Sequence, residues 1–305
     1  MYKFVFSFVF IVILSSFSIS KERAFSVLDI GSSAKFIGLG GIELSTSSAA
    51  SVFHNPALLQ GKYAYSVSVF TTQLFNEVTY RNLAFSKQFK KFNFGFGYMD
   101  SRVSNIPNTT KITDNSGTYF DINGYYDLTF SQYKAAVSYL FRPNFVLGVG
   151  LTYLDNSIST YSATGANVDL GINYIYKNNS FSVSVDNVLQ FYDLEYSNDG
   201  AEYYPLKATV SYLKNLSFVS PMIQYSLVQD YLPQSAIALL LKHPKFSFLD
   251  GFLGYKSDYY LDDYNYKLTM GLGLNFFGIS FHYAYQKSDY IQTDNYSFFS
   301  MTITI

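Results

Sequence analysis

Apolar and small polar residues alternate at every second position over long stretches of this chain, and that alternation confines it to sheet structure. Tyr266, Leu268, Met270, Leu272, Leu274 and Phe276 share one face, while Lys267, Thr269, Gly271, Gly273 and Asn275 share the other. Successive side chains of an extended strand point to opposite sides, so such spacing gives each strand one greasy and one polar surface. The pattern recurs at Phe92, Phe94, Phe96 and Tyr98, at Val168, Leu170, Ile172, Tyr174 and Tyr176, and at Ile279, Phe281, Tyr283 and Tyr285.

A soluble sandwich also alternates, because one face of each sheet meets a core. The content of the second face separates the two cases. A solvated face is rich in Lys, Glu, Asp and Arg, whereas here it is mostly Gly, Ser, Thr, Asn and Ala. Charged residues make up only 14% of the chain, against roughly 25% in an average soluble domain. Aromatics reach 20%, with 30 Tyr and 30 Phe, which suits a wall that meets hydrocarbon and its interfaces. Beyond residue 20 no run of 18 uncharged apolar residues occurs, so helical spans are excluded. In hydrocarbon only helices and closed barrels satisfy every backbone N–H and C=O. The expected fold is therefore all-β, a transmembrane antiparallel β-barrel whose polar faces line a crowded lumen. Its alternation phase places Asp169, Asn173, Asp186, Lys267, Asn275 and His282 on that lining.

The connections set the strand count. Short links fall at 89–91, 142–144, 177–179, 214–215, 243–245 and 277–278, and between them lie longer polar stretches at 102–129, 156–164, 189–203, 230–233, 258–265 and 288–295. Tight periplasmic turns alternating with long outer loops are the habit of outer-membrane barrels. Strands then run at approximately 63–74, 77–88, 91–101, 130–141, 145–155, 166–176, 180–188, 204–213, 217–229, 234–243, 248–257, 265–276, 278–287 and 296–305. Fourteen is even, which places both ends on the periplasmic side. Residues 119–129 form either a further strand or a strand extension, and the strand carrying Arg81 and Asn82 lacks a clean apolar face.

Residues 1–20 read as a cleaved signal peptide, with Lys3 ahead of an apolar run at 4–14 and small residues Ser18 and Ser20 at the cleavage positions. That run is too short for a helical span, which needs roughly 20 residues. The chain has no cysteine, so disulfides, thiolate metal sites and a lipidated N-terminal Cys are excluded. A net charge of −1 gives no field to attract nucleic acid. The three histidines are scattered, and no Walker, dinucleotide or zinc motif occurs, so no catalytic residue, metal or cofactor is expected.

Residues 21–62 do not alternate. Gly38, Gly40 and Gly41 punctuate one stretch, a Ser/Ala run spans 45–51, and Asn55-Pro56-Ala57 follows. Pro56 lacks a backbone donor and biases Asn55 away from helix. Irregular backbone at membrane depth needs protein around it, so this segment is expected to plug the mouth of a barrel formed by 63–305.

The stretch SSAKFIGLGGIELSTSSAASVFHNPALL, residues 32–59, resembles the N-terminal signature of the PorV/PorQ-like outer-membrane proteins of the FadL superfamily. Gly38, Gly40, Gly41, Asn55, Pro56, Ala57 and Leu58 match by type and spacing. Lys35 stands for the usual Arg, Leu59 for a common Gly, and Ser47, Ser48 and Ser51 where acidic residues are often found. Downstream, Val168-Asp169-Leu170-Gly171, Val185-Asp186-Asn187-Val188 and Tyr204-Pro205-Leu206 are similar to family strand motifs. The resemblance implies a fourteen-stranded barrel with an N-terminal plug, moving hydrophobic molecules across the outer membrane among its lipids. It also implies an alternative, in which the barrel is a docking partner for an exported protein, as PorV-type members are in type IX secretion.

Three further features carry bland and sharp readings. Ser280 and His282 share the lumen face, and a barrel hydrolase built on that pair is weighed against a histidine satisfied by polar neighbours. Acidic loops with Asp193, Glu195, Asp199, Glu202, Asp262 and Asp263 lack the spacing of a calcium loop and read as solvated. Tyr125-Tyr126 and Tyr259-Tyr260 fit an interfacial girdle.

Overall fold

The computed structural model describes residues 22–23, 30–61, 63–74, 77–114, 117–192, 194–196, 201–230, 232–243, 245–260, 263–287 and 296–305. The expected signal peptide lies outside these residues, as do the acidic positions Asp193, Asp199 and Asp262 and the side chains of Tyr259, Tyr260 and Asp263. Fourteen strands form a closed ring: β1 (Tyr65–Leu74), β2 (Val78–Phe89), β3 (Phe92–Asp114), β4 (Gly117–Arg142), β5 (Phe145–Ile158), β6 (Tyr161–Tyr176), β7 (Asn179–Tyr192), β8 (Lys207–Lys214), β9 (Val219–Val228), β10 (Gln234–Lys242), β11 (Leu249–Tyr260), β12 (Asp263–Phe276), β13 (Ile279–Gln286) and β14 (Tyr296–Thr304). Each pairs antiparallel with its chain neighbour, and β14 pairs with β1 to close the barrel. The expected fourteen-stranded antiparallel barrel is the observed one.

The period-two pattern sorts by face as hydrocarbon outside would require. Phe94, Phe96, Leu268, Leu272 and Leu274 are exposed outward, while Asn93, Thr269, Ser182, Ser184 and Ser211 are buried inward. Tyr98, Tyr133 and Tyr153 form an outward aromatic row across β3–β5, with ring centroids 5.0 and 6.2 Å apart.

Several boundaries differ from expectation. Residues 102–129 are not a loop: β3 and β4 continue as a hairpin whose last pair is Asp114 with Gly117. The neighbouring strands stop pairing at Val103 and Leu128, so 104–114 and 117–127 project as a two-stranded ribbon. Thr109, Thr110, Ile112, Thr118, Tyr119 and Ile122 favour extended backbone. Above a membrane, both faces of such a strand meet water, so it shows no apolar alternation and reads as loop. Register shifts near 103–106 and 107–109, with Asn105 at φ 60°, mark where the ribbon leaves the wall. The expected loop at 156–164 contracts to a tight turn, since β5 and β6 pair out to Ile158 with Tyr161.

A small separate sheet joins Glu22–Arg23, parallel, to Ala201–Tyr203, which pairs antiparallel with Leu194–Glu195. These strands lie beyond the outer end of β7. The barrel's own ends sit together, Tyr65 bonding Ile305 at 3.0 and 2.9 Å, but the segment before β1 begins at the opposite rim. The even strand count fixes only the ends of the barrel, and the N-terminal segment crosses the lumen before β1 starts.

That segment is short and irregular. Helix α1 (Ala34–Gly38) is capped by Ser33, whose Oγ accepts the Phe36 N–H at 3.2 Å. Three short 3₁₀ turns follow at Glu43–Ser45, Ala49–Phe53 and Pro56–Leu59. Helix α1 packs on β11–β14, the second turn on β1–β4, the third on β3–β6 and the first on β8. Ser184 of β7 and Gln224 of β9 bond Glu43, and Leu39 packs with Ala236 and Ala238 of β10. Contact with all fourteen strands of a closed ring is possible only from inside it.

Candidate functional site: the occupied lumen

The Asn55-Pro56-Ala57 turn is the centre of the seat. Asn55 Oδ1 accepts the Ala57 N–H at 3.0 Å, an Asx cap, and Pro56 occupies the first position of the turn, where its missing donor costs nothing. Asn55 Nδ2 reaches outward to Glu43 Oε2 at 3.3 Å, Ser182 Oγ at 3.3 Å and the Val183 carbonyl at 3.4 Å. The wall makes room for the turn with two glycines. Gly148 and Gly171 are cross-strand partners in β5 and β6. A Cβ at Gly148 would lie 2.5 Å from the Pro56 carbonyl carbon and 2.8 Å from Ala57 Cα, and one at Gly171 would collide with Asn55 Oδ1. Only glycine allows backbone to approach a strand so closely.

Beside the turn, Lys134 of β4 holds wall and segment together. Its Nζ donates to Asp169 Oδ2 at 2.8 Å and to the Phe53 carbonyl at 3.0 Å. Asp169 also accepts from Thr152 Oγ1 at 3.0 Å and from the Asn187 N–H at 2.9 Å. The pair is almost fully buried, at 3% and 1% exposure, so its geometry has to offset a desolvation cost of several kcal/mol per ion. The bond within the pair and three more from Phe53, Thr152 and Asn187 satisfy its polar atoms.

Glu43 is a further buried acidic residue of the seat, at 3% exposure. Ser184 Oγ donates to its Oε1 at 2.9 Å, and its own N–H donates to Gln224 Oε1 at 2.8 Å. Gln224 in turn donates to the Gly41 carbonyl at 3.1 Å. Burial raises the Glu43 carboxyl above the ordinary range, opposed by Lys207, by Ser184 and Asn55, and by Lys134. His54 stacks on Phe36 at 3.9 Å and bonds Ser32 Oγ at 2.5 Å. Burial, with Lys207 and Lys134, holds it well below the usual imidazole value.

The remaining bonds run mostly from wall side chains to the segment's backbone: Asn82 to the Ser32 carbonyl, Thr269 to that of Gly38, Asn93 to that of Leu59, and the Ala34 and Ala49 amides to Ser300 and Ser66. No described residue of 30–61 joins the barrel ladder. Single hydrogen bonds of this kind contribute about 0.5–1.5 kcal/mol net.

The other residues singled out from sequence fall as follows. Gly40 and Gly41 adopt φ 67° and 76° after α1, and Gly38 packs against Phe252 and Ala284. Asn173 and Asp186 are buried, each with one side-chain oxygen unpartnered. Asn275 donates to Asp250 at 2.9 Å. Lys267 sits on the inner face opposite Lys256. His282 is buried with Nδ1 unpartnered, and no hydrogen bond joins it to Ser280 among the described residues. Tyr125 and Tyr126 belong to the projecting ribbon, beyond the row made by Tyr98, Tyr133 and Tyr153. The ribbon's length, invisible in a polar sequence, carries them above it.

Sequence reasoning missed two features. Lys134 shares its phase with Gln132, Ala136 and Ser138, which marks it as inward-facing. A lumen of Gly and Ser was also too uniform an expectation. Phe70, Leu74, Tyr80, Met99, Phe130, Tyr296 and Phe298 form an apolar inner wall on β14 and β1–β4, covered by Ile30, Phe36 and Phe53. Phe70 meets Tyr80 edge-on at 5.6 Å and stacks on Phe298 at 6.2 Å. The polar contacts of Asn55 and Glu43 fall on β4–β9, while Ser66, Asn82, Asn93, Thr269 and Ser300 bond the segment from β1–β3, β12 and β14, and a second apolar cluster on β8–β11 packs against Leu39 and Ile42. At the outer mouth, Leu194, Tyr196 and Tyr204 fold in against Leu154 and Ala163.

A closed fourteen-strand barrel with its N-terminal residues held inside has the FadL-type fold. The chain is similar in structure to the CymD monoaromatic hydrocarbon channel, with a TM-score of 0.63 and 11% identity over 92% of this chain and 99% of that one. It is similar to the Pseudomonas putida toluene transporter TodX, at TM-score 0.60 and 13% identity over 93% and 98%. A Pseudomonas aeruginosa FadL homologue gives 0.56 and 11% over 89% and 97%. At such identities the likeness is one of fold. No protein-family model and no curated protein sequence matches the chain.

Proposed function

We propose that this barrel sits in an outer membrane as a non-enzymatic carrier of hydrophobic molecules, with residues 21–62 acting as a displaceable plug. The observation that carries the reading is the aromatic inner wall that the segment covers. Side-chain hydrogen bonds from around the ring seat the segment, and its apolar residues cover an apolar, largely aromatic wall on β14 and β1–β4. Displacing the segment uncovers an apolar path, which suits cargo that an open aqueous pore would not favour. That solved structures of similar fold bear the names of hydrocarbon channels and a toluene transporter supports the same reading. Proteoliposomes provide the test. The purified protein should carry a monoaromatic hydrocarbon into an internal oil phase while giving little steady current in planar bilayers. A large, constant open-pore current would defeat it.

One observation favours a second, PorV-like reading in which the barrel docks an exported protein. The ribbon of 104–114 and 117–127 projects on the order of 30 Å, at about 3.4 Å per residue, with unpaired edges and exposed Tyr119, Phe120 and Tyr125. Such edges accept added strands. Crosslinking in intact outer membranes decides between them, since recovery of lipid without a protein partner counts against docking.

A further inference from the structure

We infer that the groove at the base of the ribbon is a binding site for the saccharide head group of an outer-leaflet glycolipid. The inference rests on the outer-membrane reading above and concerns a surface remote from the lumen.

The groove is an open surface hollow of about 630 Å³. Arg102, Asn105, Tyr125, Asp127, Thr129 and Ser157 line it. Its position is set by strand phase. In β4, Tyr133, Thr129, Asp127 and Tyr125 fall on the outward face, opposite to inward Gln132, Lys134, Ala136 and Ser138. Arg102 in β3 follows Tyr98 at even spacing, and Ser157 in β5 follows Tyr153. Most of the lining therefore shares the outward face, with Tyr126 of the opposite phase completing it where the ribbon leaves the wall.

Its height is equally constrained. Four residues separate Tyr98 from Arg102, Tyr133 from Thr129 and Tyr153 from Ser157. At about 3.4 Å per residue and a tilt of roughly 40°, that is on the order of 10 Å beyond the tyrosine row. Interfacial aromatics mark the edge of hydrocarbon, so the groove stands at and just above the lipid head groups.

The lining decides what fits there. Arg102 makes no ion pair among the described residues, and its planar fork suits a phosphate or carboxylate. A bare phosphate would not need the rest. Asp127, Asn105, Thr129 and Ser157 supply several acceptors and donors, as vicinal hydroxyls demand. Tyr125 is 66% exposed, and its ring face attracts the positively polarised C–H groups of a sugar ring. The scaffold is fixed by backbone bonds, the Asn105 N–H to Asp127 Oδ1 at 3.1 Å and the Ser159 N–H to the Asp127 carbonyl at 3.2 Å. One cation, mixed polar groups and an aromatic platform at head-group height together favour an anionic glycolipid over a phospholipid or a peptide.

The test uses the full-length protein in nanodiscs of phosphatidylethanolamine, with or without a phosphorylated diglucosamine glycolipid, followed by native mass spectrometry. Wild type should leave the disc carrying the glycolipid. Arg102→Ala should weaken retention by about tenfold or more, equivalent to about 1.4 kcal/mol, and Tyr125→Ser should weaken it too, with both variants keeping the wild type's heat-modifiable mobility. Equal retention by wild type and Arg102→Ala overturns the inference, as does retention of phosphatidylethanolamine alone. Displacement by the free phosphorylated disaccharide at equal concentration shows a soluble sugar site and overturns the lipid assignment. A peptide or protein retained on the groove in its place also overturns it. Failure to insert into nanodiscs at all would instead refute the membrane reading.

Discussion

Adding one methyl group to the wall at Gly148 should unseat the N-terminal segment. Gly148→Ala puts a Cβ 2.5 Å from the Pro56 carbonyl carbon and 2.8 Å from Ala57 Cα. Carbon atoms rest at about 3.5–4.0 Å, so the turn must retreat by about 1 Å. The wall cannot yield in its place, because Gly148 is paired to Gly171 within a continuous β5–β6 ladder. A retreat of that size lengthens the Asn55 bonds to Ser182 and Val183, already 3.3 and 3.4 Å, beyond useful range. Overpacking of this kind costs about 1–3 kcal/mol. Since it acts on the seated state alone, it shifts the ratio of seated to displaced segment by about 5–150-fold. Trypsin reports the shift, because Lys35 is the one basic residue within 30–61 and is enclosed when the segment is seated. In proteoliposomes, Gly148→Ala should be cleaved at Lys35 faster than wild type and should show more frequent conducting openings. Gly251→Ala is the control, since its added Cβ finds nothing nearer than Leu241 Cβ at 3.4 Å. Cleavage and conductance of Gly148→Ala matching both wild type and the control would refute the reasoning.

Other outcomes follow from the same seat. Lys134→Met leaves Asp169 buried without its cation and should destabilise by about 3–5 kcal/mol, whereas Lys134→Met with Asp169→Asn should recover most of that; urea titration of heat-modifiable mobility measures both, and equal losses would contradict the assignment. Asn55→Ala removes the cap of the Pro56 turn and should cost about 0.5–2 kcal/mol, read as faster cleavage at Lys35 with unchanged barrel stability. Seating should also depend on pH in two directions. Glu43 has a raised value when seated, so its contribution is full below the usual glutamate value of 4.5 and is lost as pH climbs through the raised one. His54 has a lowered value, so its contribution is present above 6.5 and is lost as pH falls through the lowered one. Protease sensitivity of the segment should therefore rise as pH climbs above the ordinary glutamate range and as it falls below the ordinary imidazole value, and Glu43→Gln should abolish the high-pH arm only. A flat profile on the high-pH side in wild type would contradict burial of Glu43 as the cause.

How far the residues themselves disclose this arrangement varies along the chain. Where a strand meets lipid outside and packed protein inside, the two environments write themselves into alternate positions, and stretches such as 266–276 were readable one residue at a time. Where both faces meet water, as in the ribbon of 104–114 and 117–127, nothing distinguishes strand from loop. Arg81 and Asn82 obscured β2 for a related reason. Its inner face is apolar at Tyr80 and polar at Asn82, because the segment's Ile30 and Gly31 lie over the first and the Ser32 carbonyl bonds the second.

Local sequence alone determined the strands, their number, the closed barrel and the irregular character of the N-terminal residues, because each follows from nearest-neighbour spacing and from the backbone's need for partners in hydrocarbon. Only the tertiary structure decided that Gly148 and Gly171 stand side by side beneath Asn55, that Lys134 bridges Asp169 and Phe53, and that aromatic residues from four strands gather on one side of the lumen. Those juxtapositions join residues up to 266 positions apart, as in the Ala34–Ser300 bond. Which wall residue meets the segment depends on how the closed ring carries each strand past it, and spacing along a single strand carries no record of that.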